Sequence, residues 1–190
     1  MRVSREQFRA NRTRILDEAG KLFREHGFDG VTLADVMNAA GLTHGGFYGH
    51  FRSKDELIEA ALAHRSEAQP ARPRKQSAAD YADAYLSRKH RDTKATSCPI
   101  SCLGTEAARA SDSVRHSMTA LVREEIDRLA EVSPGEAPQD RRRAAISTWS
   151  AMVGAMMLAR LVDDERLSDE ILSATREGIR SGPQSLESGA

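Results

Sequence analysis

The chain has 190 residues, of which 28 are Lys or Arg, 28 are Asp or Glu, and two are Cys. This size and composition fit a globular protein of one or two domains and exclude a disulfide scaffold. The longest apolar run is far short of a membrane span, and the charged N-terminus lacks the apolar stretch of a secretory signal. We therefore expect a cytoplasmic protein without a membrane partner.

Charge is distributed unevenly along the chain, although the net charge is zero. Residues 1–54 carry nine basic and six acidic residues, whereas residues 95–190 carry eleven basic and fifteen acidic residues. A basic first part on an acidic remainder suits a protein that touches a polyanion through its N-terminal part.

The spacing of apolar residues is helical in nearly every segment, and no stretch of strand length alternates strictly between apolar and polar residues. We therefore predict an all-α protein with about nine helices. The first helix is predicted over residues 8–26. Phe8, Ile15 and Phe23 are among the residues on its inner face. Gly27 is expected to end the helix, because glycine readily adopts the left-handed conformation found at helix C-termini.

The second and third predicted helices lie close together. The second begins at Thr32, because Thr32 and Asp35 have the spacing of a capping box. A Gly-Leu-Thr turn follows, and the third helix is predicted from Thr43 to about Phe51. This is the layout of a helix-turn-helix, a motif that places its second helix in the major groove of DNA.

The third predicted helix combines glycines with aromatic residues. A glycine in a helix interior costs roughly 1 kcal/mol, so the adjacent pair Gly45 and Gly46 indicates close approach of a partner such as a DNA phosphate. Phe47 and Phe51 are four residues apart and are predicted to lie in the core. Tyr48 faces the other way and is the better candidate for a contact.

Later helices follow the same rules. The fourth is predicted from Ser53 to about residue 68, because Ser53 and Glu56 again have the spacing of a capping box. Proline and glycine then divide the remaining helices. These are predicted over about residues 77–88, 99–109, 112–132, 139–162 and 168–180.

The stretch from residue 15 to residue 58 resembles the tetracycline-repressor-like (TetR/AcrR) family of bacterial transcriptional regulators. It reads ILDEAGKLFREHGFDGVTLADVMNAAGLTHGGFYGHFRSKDELI. The resemblance implies an all-α homodimer that binds a palindromic operator in double-stranded DNA and responds to an unknown small-molecule effector. It also implies a DNA-binding domain over 1–52 and a ligand-binding and dimerisation domain over 53–190, which the helix over 53–68 links to the first.

The resemblance assigns DNA contacts to Thr32, Thr43, His44, Gly45, Tyr48, His50 and Lys54. The two threonines would cap helices and touch phosphate, His44 and Gly45 would meet bases, and Lys54 would contact the DNA backbone. Gly46 and Gly49 replace larger polar residues of the commoner family pattern, so fewer side chains reach the groove. An N-terminal arm with Arg2, Arg5 and Arg9 is expected to compensate.

Two further sets of residues are predicted in the C-terminal part. The candidate ligand-binding residues are aromatic or Met residues that suit an adaptable pocket, namely Tyr81, Tyr85, Met118, Trp149, Met152 and Met156. The candidate dimer interface consists of apolar residues on the last two helices, namely Trp149, Val153, Met157, Leu161, Ile171 and Leu172.

Alternatives stay open for several of these residues. The candidate ligand-binding set could equally be ordinary core, and the long helix over 139–162 could be the centre of a monomeric domain. Cys98 and Cys102, four residues apart, either pack in the core or make the protein a thiol-responsive regulator. The sequence contains no nucleophile–base pair, phosphate-binding loop or metal-ligand spacing, so we expect neither an enzyme nor a cofactor.

Overall fold

A computed structural model of the protein describes residues 4–68 and 77–181, and every regular element in these ranges is a helix, which confirms the all-α class. The α-helices are α1 (Arg5–His26), α2 (Leu33–Ala39), α3 (Lys54–Ala68), α4 (Ala78–Tyr85), α5 (Arg88–Asp92), α6 (Pro99–Ala107), α7 (Asp112–Ala130), α8 (Pro138–Leu161) and α9 (Glu165–Ser181). Two 3₁₀ segments are His44–Gly49 and Lys94–Thr96.

Most predicted helices agree with these bounds to within a few residues. The short helix α5 was not predicted as a separate element. It exists because Leu86 ends α4 and the Ser87 hydroxyl accepts a hydrogen bond from the His90 N–H, at 3.2 Å. Serine at such a position caps a new helix.

The described residues form two compact units. The first comprises those within Met1–Ala71 and Lys94–Arg123, and the second those within Arg72–Thr93 and Glu124–Ala190. This packing division does not follow the predicted boundary between residues 52 and 53, because Leu57 of α3 and Leu103 of α6 share one core with Ile15 of α1. The functional division into 1–52 and 53–190 stays a prediction.

The core of the first unit holds the helix-turn-helix in place. Ile15, Val36, Phe47 and Leu57 are completely buried in it, and Phe51 is 2% exposed. The prediction that Phe47 and Phe51 are core residues is therefore confirmed. Burial of several large side chains from α1, α2, α3 and the 3₁₀ segment fixes these elements together.

The second unit is built around α8, which packs against α9, α4 and α5. Among the described residues, α8 is the helix whose length and composition would suffice to cross a membrane, but a third of that stretch is buried in the fold. Polar contacts fix α5 onto the corner between α8 and α9: Arg91 donates to the Ser168 hydroxyl at 2.8 Å, and Arg160 donates to the His90 carbonyl at 2.7 Å.

Candidate nucleic-acid interface

The N-terminus of α2 is closed by a complete capping box, as predicted. The Asp35 N–H donates to the Thr32 hydroxyl at 3.1 Å, and the Thr32 N–H donates to the Asp35 carboxylate at 2.8 Å. The hydroxyl also donates to this carboxylate, at 2.6 Å. These hydrogen bonds from Thr32 lower the pKa of Asp35, so the carboxylate stays charged. The predicted phosphate contact of Thr32 would have to compete with this cap.

The turn after α2 depends on Gly41. Its φ is +67°, in the left-handed region that favours glycine. The Leu42 N–H then donates to the Met37 carbonyl at 2.9 Å, which ends α2 and turns the chain. The 3₁₀ segment follows this turn, and its Phe47 side chain is buried in the core.

The predicted third helix is present as the 3₁₀ segment His44–Gly49, which begins one residue after and ends two residues before the predicted bounds. Thr43 occupies the N-cap position but makes no side-chain capping hydrogen bond, so the expected cap is not formed. The 3₁₀ form follows from the sequence of the segment. Three of its six residues are glycines, which disfavour a longer α-helix.

The 3₁₀ segment presents one face to the core and the other to solvent. Phe47 is buried, whereas Tyr48 is 68% exposed and packs edge-to-face on the Phe47 ring. Thr43, His44 and Gly45 are exposed on the same segment. The structure therefore brings these four candidate contacts together on one surface.

Packing within the chain does not explain the glycines of this surface. A Cβ atom at Gly45 or Gly49 would have no atom within 4 Å apart from those of adjacent residues and of the segment's own backbone. Neither residue has a positive φ. The backbone of the segment is thus open to close approach from outside, as expected of a surface that meets a phosphate backbone.

His50 ends the segment in a half-buried position. Its ring stacks on the ring of Phe8, with centroids 4.1 Å apart and planes 22° from parallel. Its Nδ1 atom is buried and has no hydrogen-bond partner among the described residues. Burial lowers the pKa of His50, and the positive charge of Arg12 lowers it further.

The position of Phe8 differs from the prediction. It was expected on the inner face of α1, but it is 40% exposed and contacts His50 instead. The reason is that α1 begins at Arg5 and extends beyond the core that Ile15 and Phe23 enter. Arg5 and Arg9 belong to this helix rather than to a loose arm, and Arg2 lies outside the described residues.

Lys54 is the first residue of α3, next to the 3₁₀ segment in sequence. The predicted capping box there is half formed: the Glu56 N–H donates to the Ser53 hydroxyl at 3.1 Å, but the Glu56 carboxylate accepts from the Arg52 N–H at 2.8 Å. This backbone hydrogen bond is the main cause that lowers the pKa of Glu56. The Lys54 ammonium group makes no ion pair within the part of the chain that the structure describes.

The candidate ligand-binding residues are divided between the two units. Met118 belongs to the core of the first unit, whereas the other five belong to the second. Trp149 is 5% exposed, Met152 and Met156 are completely buried, and the Tyr81 and Tyr85 rings lie 5.8 Å apart. The Trp149 indole N–H is buried and has no hydrogen-bond partner among the described residues.

A charged cluster beside these residues was missed by the sequence analysis. The Arg128 guanidinium lies 5.0 Å from the centroid of the Tyr81 ring and pairs with Glu125. The Tyr81 hydroxyl donates to Glu125 at 3.4 Å. Burial lowers the pKa of Arg128, but the interactions with Glu125 and Tyr81 outweigh this effect, so that the pKa is raised overall. The three-residue spacing of Glu125 and Arg128 on α7 was the available signal.

The predicted dimer residues also separate into two groups. Trp149 and Leu172 are buried within the chain, so neither can contribute much area to a partner. Met157 is 36% and Leu161 80% exposed. Other large apolar residues exposed on α8 and α9 are Ile146, Leu158 and Leu167.

The two cysteines lie at the start of α6. Cys98 is buried and precedes the helix, and Cys102 is half-buried one turn later. Neither thiol is in a disulfide. The Cys102 N–H donates to the Cys98 carbonyl at 3.2 Å, so regular helix geometry, which suits a disulfide poorly, separates the two residues. This environment is that of packed cysteines, and the thiol-responsive alternative is not favoured.

Comparison with known proteins identifies the first unit's motif. Residues 15–61 match the family described as bacterial regulatory proteins, tetR family. The transcriptional regulator TtgR of Pseudomonas putida is 37% identical over 62 residues, which cover 33% of this chain and 30% of TtgR. The transcriptional repressor KstR2 of Rhodococcus jostii is 41% identical over 51 residues, which cover 27% of this chain and 25% of KstR2. The chain thus spans less than a third of these relatives.

Solved structures extend the likeness to the whole fold. NemR of Escherichia coli in its reduced form has a TM-score of 0.70 at 20% identity, over 90% of this chain and 96% of NemR. A TetR-family regulator of Cytophaga hutchinsonii has a TM-score of 0.69 at 19% identity, over 95% and 98% of the two chains. The sequence relatives are transcriptional regulators rather than enzymes, as expected for this chain. Residues 15–61 thus match the tetR family of bacterial regulatory proteins, and the described residues share the all-α fold of the solved TetR-family structures.

Proposed function

We propose that this protein is a transcriptional regulator that binds an operator in double-stranded DNA and represses the gene beside it. The observation that carries this proposal is the 3₁₀ segment, which Phe47 anchors in the core while its glycine-rich outer face is open. A surface of this kind is suited to the major groove. Because its target is chromosomal DNA, the protein would act in the cytoplasm.

On this proposal, the contacts with DNA are of two kinds, to base edges and to phosphates. His44 and Gly45 lie at the start of the segment, where side chain and backbone would meet base edges. Tyr48, His50 and Lys54 would donate hydrogen bonds to phosphates, together with Thr43. Phosphate contacts set the register of the protein on DNA, and base contacts select the sequence.

The direct experiment is selection of DNA from a random pool by the purified protein, followed by sequencing. We expect an inverted repeat whose half-sites lie one helical turn apart, ~34–36 Å, because a symmetric dimer presents two recognition segments. Recovery of no common sequence, together with an affinity that does not change with salt, would overturn the proposal.

We further propose that the protein binds the operator as a homodimer through α8 and α9. Val153, Met157 and Leu161 follow one another at steps of four along α8, so they lie on one face of the helix. Ile171 of α9 is also partly exposed. An apolar face of this kind on a single chain is typical of a surface that another protein covers.

The effector is proposed to bind the second unit and to release the DNA. The buried indole N–H of Trp149 supports a ligand with a hydrogen-bond acceptor, because a buried donor without a partner is costly until a ligand satisfies it. Met152 and Met156 would adapt to the apolar part of such a ligand. The two binding events are linked: if the ligand weakens DNA binding by a given factor, bound DNA weakens ligand binding by the same factor. The ligand therefore binds the DNA-free protein more tightly.

Trp149 is the only tryptophan of the chain, so its fluorescence reports directly on this site. We expect candidate effectors with a carbonyl or phenolic oxygen to change the emission and to release DNA at the same concentration. Trp149→Phe keeps a ring but removes the N–H, and should weaken such ligands roughly tenfold. An effector that binds this variant with unchanged affinity would exclude the indole as donor.

A further inference from the structure

Phe8 and His50 join two parts of the first unit that are far apart in sequence. Phe8 lies in the first turn of α1, and His50 follows the 3₁₀ segment. Their rings are nearly parallel, with planes 22° apart and centroids 4.1 Å apart. Phe8 lies seven residues before the stretch that matches the TetR family, so the conserved motif of the family does not account for this contact.

The stack restricts the imidazole ring of His50. With one face against Phe8, the ring loses the freedom to rotate that an exposed histidine would have. Its Nδ1 atom is enclosed without a partner, which leaves Nε2 as the ring nitrogen that can reach a ligand.

The protonation of the ring follows from this enclosure. A buried N–H without an acceptor is costlier than a buried lone pair. The neutral ring therefore carries its proton on Nε2, and the doubly protonated ring is disfavoured, which agrees with the lowered pKa of His50. Arg12 of α1 is the charged group whose field acts on the ring in the same direction. His50 thus offers a neutral N–H donor.

We propose that Phe8 is a positioning residue for DNA binding: its ring holds His50 so that the Nε2–H donates to a DNA phosphate. This inference rests on the proposed function, since it assumes that the surface with the 3₁₀ segment meets DNA. It adds the first turn of α1 to the determinants of operator affinity. Phe8 itself contacts His50 and needs no contact with DNA.

The test compares operator affinities of the full-length protein and its Phe8→Ala, His50→Ala and double variants. Loss of a hydrogen bond to a charged group should weaken binding roughly tenfold in each single variant. The double variant should bind no more weakly than His50→Ala, because both changes remove the same contact. Phe8→Tyr, which keeps the stacked ring, should bind like the wild type, and Phe8→Leu should not. Gln7→Ala, a change in the same exposed turn, is the matched control.

A second measurement needs no DNA. The pKa of His50 is followed by NMR in the wild type and in Phe8→Ala. Removal of the stacked ring exposes Nδ1 to water, so the pKa should rise toward the ordinary value of histidine, about 6.5. The spectrum of each variant also shows whether the fold is intact.

These measurements separate the inference from the proposed function. If the wild type binds no DNA, the proposed function fails, and an unchanged His50 pKa in Phe8→Ala would still show that Phe8 does not hold the ring. The inference is overturned if either single variant binds the operator like the wild type. It is also overturned if the losses add in the double variant, since Phe8 would then act by another route.

Discussion

The Glu106 carboxylate accepts a hydrogen bond from the backbone N–H of Phe28, with 2.6 Å between the two atoms. The same carboxylate lies over Gly27, where a Cβ atom would come within 2.5 Å of it. A residue of α6 therefore holds the chain where it leaves α1 on the way to α2. Arg24 supports this connection by donating to the Ala95 carbonyl at 2.6 Å.

Gly27→Ala should destabilise the protein by about 1–3 kcal/mol. The residue has a φ of +78°, which strains any side chain, and the new methyl group would displace the carboxylate and break its hydrogen bond. The free energy of unfolding is measured by urea titration. Glu106→Ala removes the obstacle, so the double variant should lose less stability than the sum of the two single variants. Strict additivity would mean that the carboxylate and Gly27 do not interact.

Thr32→Ala should destabilise the first unit by about 1 kcal/mol, because it removes the cap of α2. The cap also depends on pH. The pKa of Asp35 is lower in the folded protein than in the unfolded chain. The charged carboxylate therefore stabilises the fold fully above the pKa of the unfolded chain, and this stabilisation is lost as the pH falls through the pKa of the folded protein. Stability measured from pH 6 down to pH 2 should fall less steeply for Asp35→Asn than for the wild type. Equal slopes would assign the acid sensitivity to other carboxyl groups.

Lys54→Ala should weaken binding to every DNA sequence alike and reduce the slope of log affinity against log salt by ~0.9, because one phosphate contact is lost. His44→Ala should instead change the preference among operator variants. Affinities for a panel of operators at several salt concentrations separate the two effects. If Lys54→Ala alters sequence preference and His44→Ala does nothing, the two roles are reversed.

If the protein is the proposed dimer, Leu161→Arg should convert it to a folded monomer. An unpaired charge in an apolar interface is costly, whereas the exposed position tolerates it in a single chain. Sedimentation velocity gives the mass, and circular dichroism shows whether the helices persist. Ala120→Arg, at an exposed position of the first unit, is the control for the added charge. A Leu161→Arg protein that remains dimeric would exclude this end of α8 from the interface.

Features that depend on a few neighbouring residues could be predicted from the sequence. The capping box of Thr32 and Asp35 and the burial of Phe47 and Phe51 follow from local spacing alone, and each is present. The fold class followed for the same reason, because helical periodicity is a local property. The resemblance to the TetR family was carried by one continuous motif and is shown by the comparisons.

Features that depend on distant contacts could not be predicted. Helical periodicity placed Phe8 on the inner face of α1. Only the packing of the first unit shows that α1 extends beyond the core at its N-terminal end, where Phe8 contacts His50. In the same way, nothing local separates Met118 from the other candidate ligand residues, although it belongs to a different unit. The resemblance also implied a cap at Thr43, whose side chain makes no capping hydrogen bond.

The empty space at Gly45 and Gly49 makes the surface around the 3₁₀ segment easy to alter. Side chains could be introduced at both positions with little hindrance inside the protein, since only adjacent residues and the segment's own backbone lie within 4 Å of either Cβ site. New base contacts could therefore arise by single substitutions while Phe47 keeps the segment anchored. On the proposed function, substitutions at these two glycines could change the preferred operator with little effect on stability. A combinatorial library at the two positions would be a practical starting point for redirecting the protein to a chosen DNA sequence.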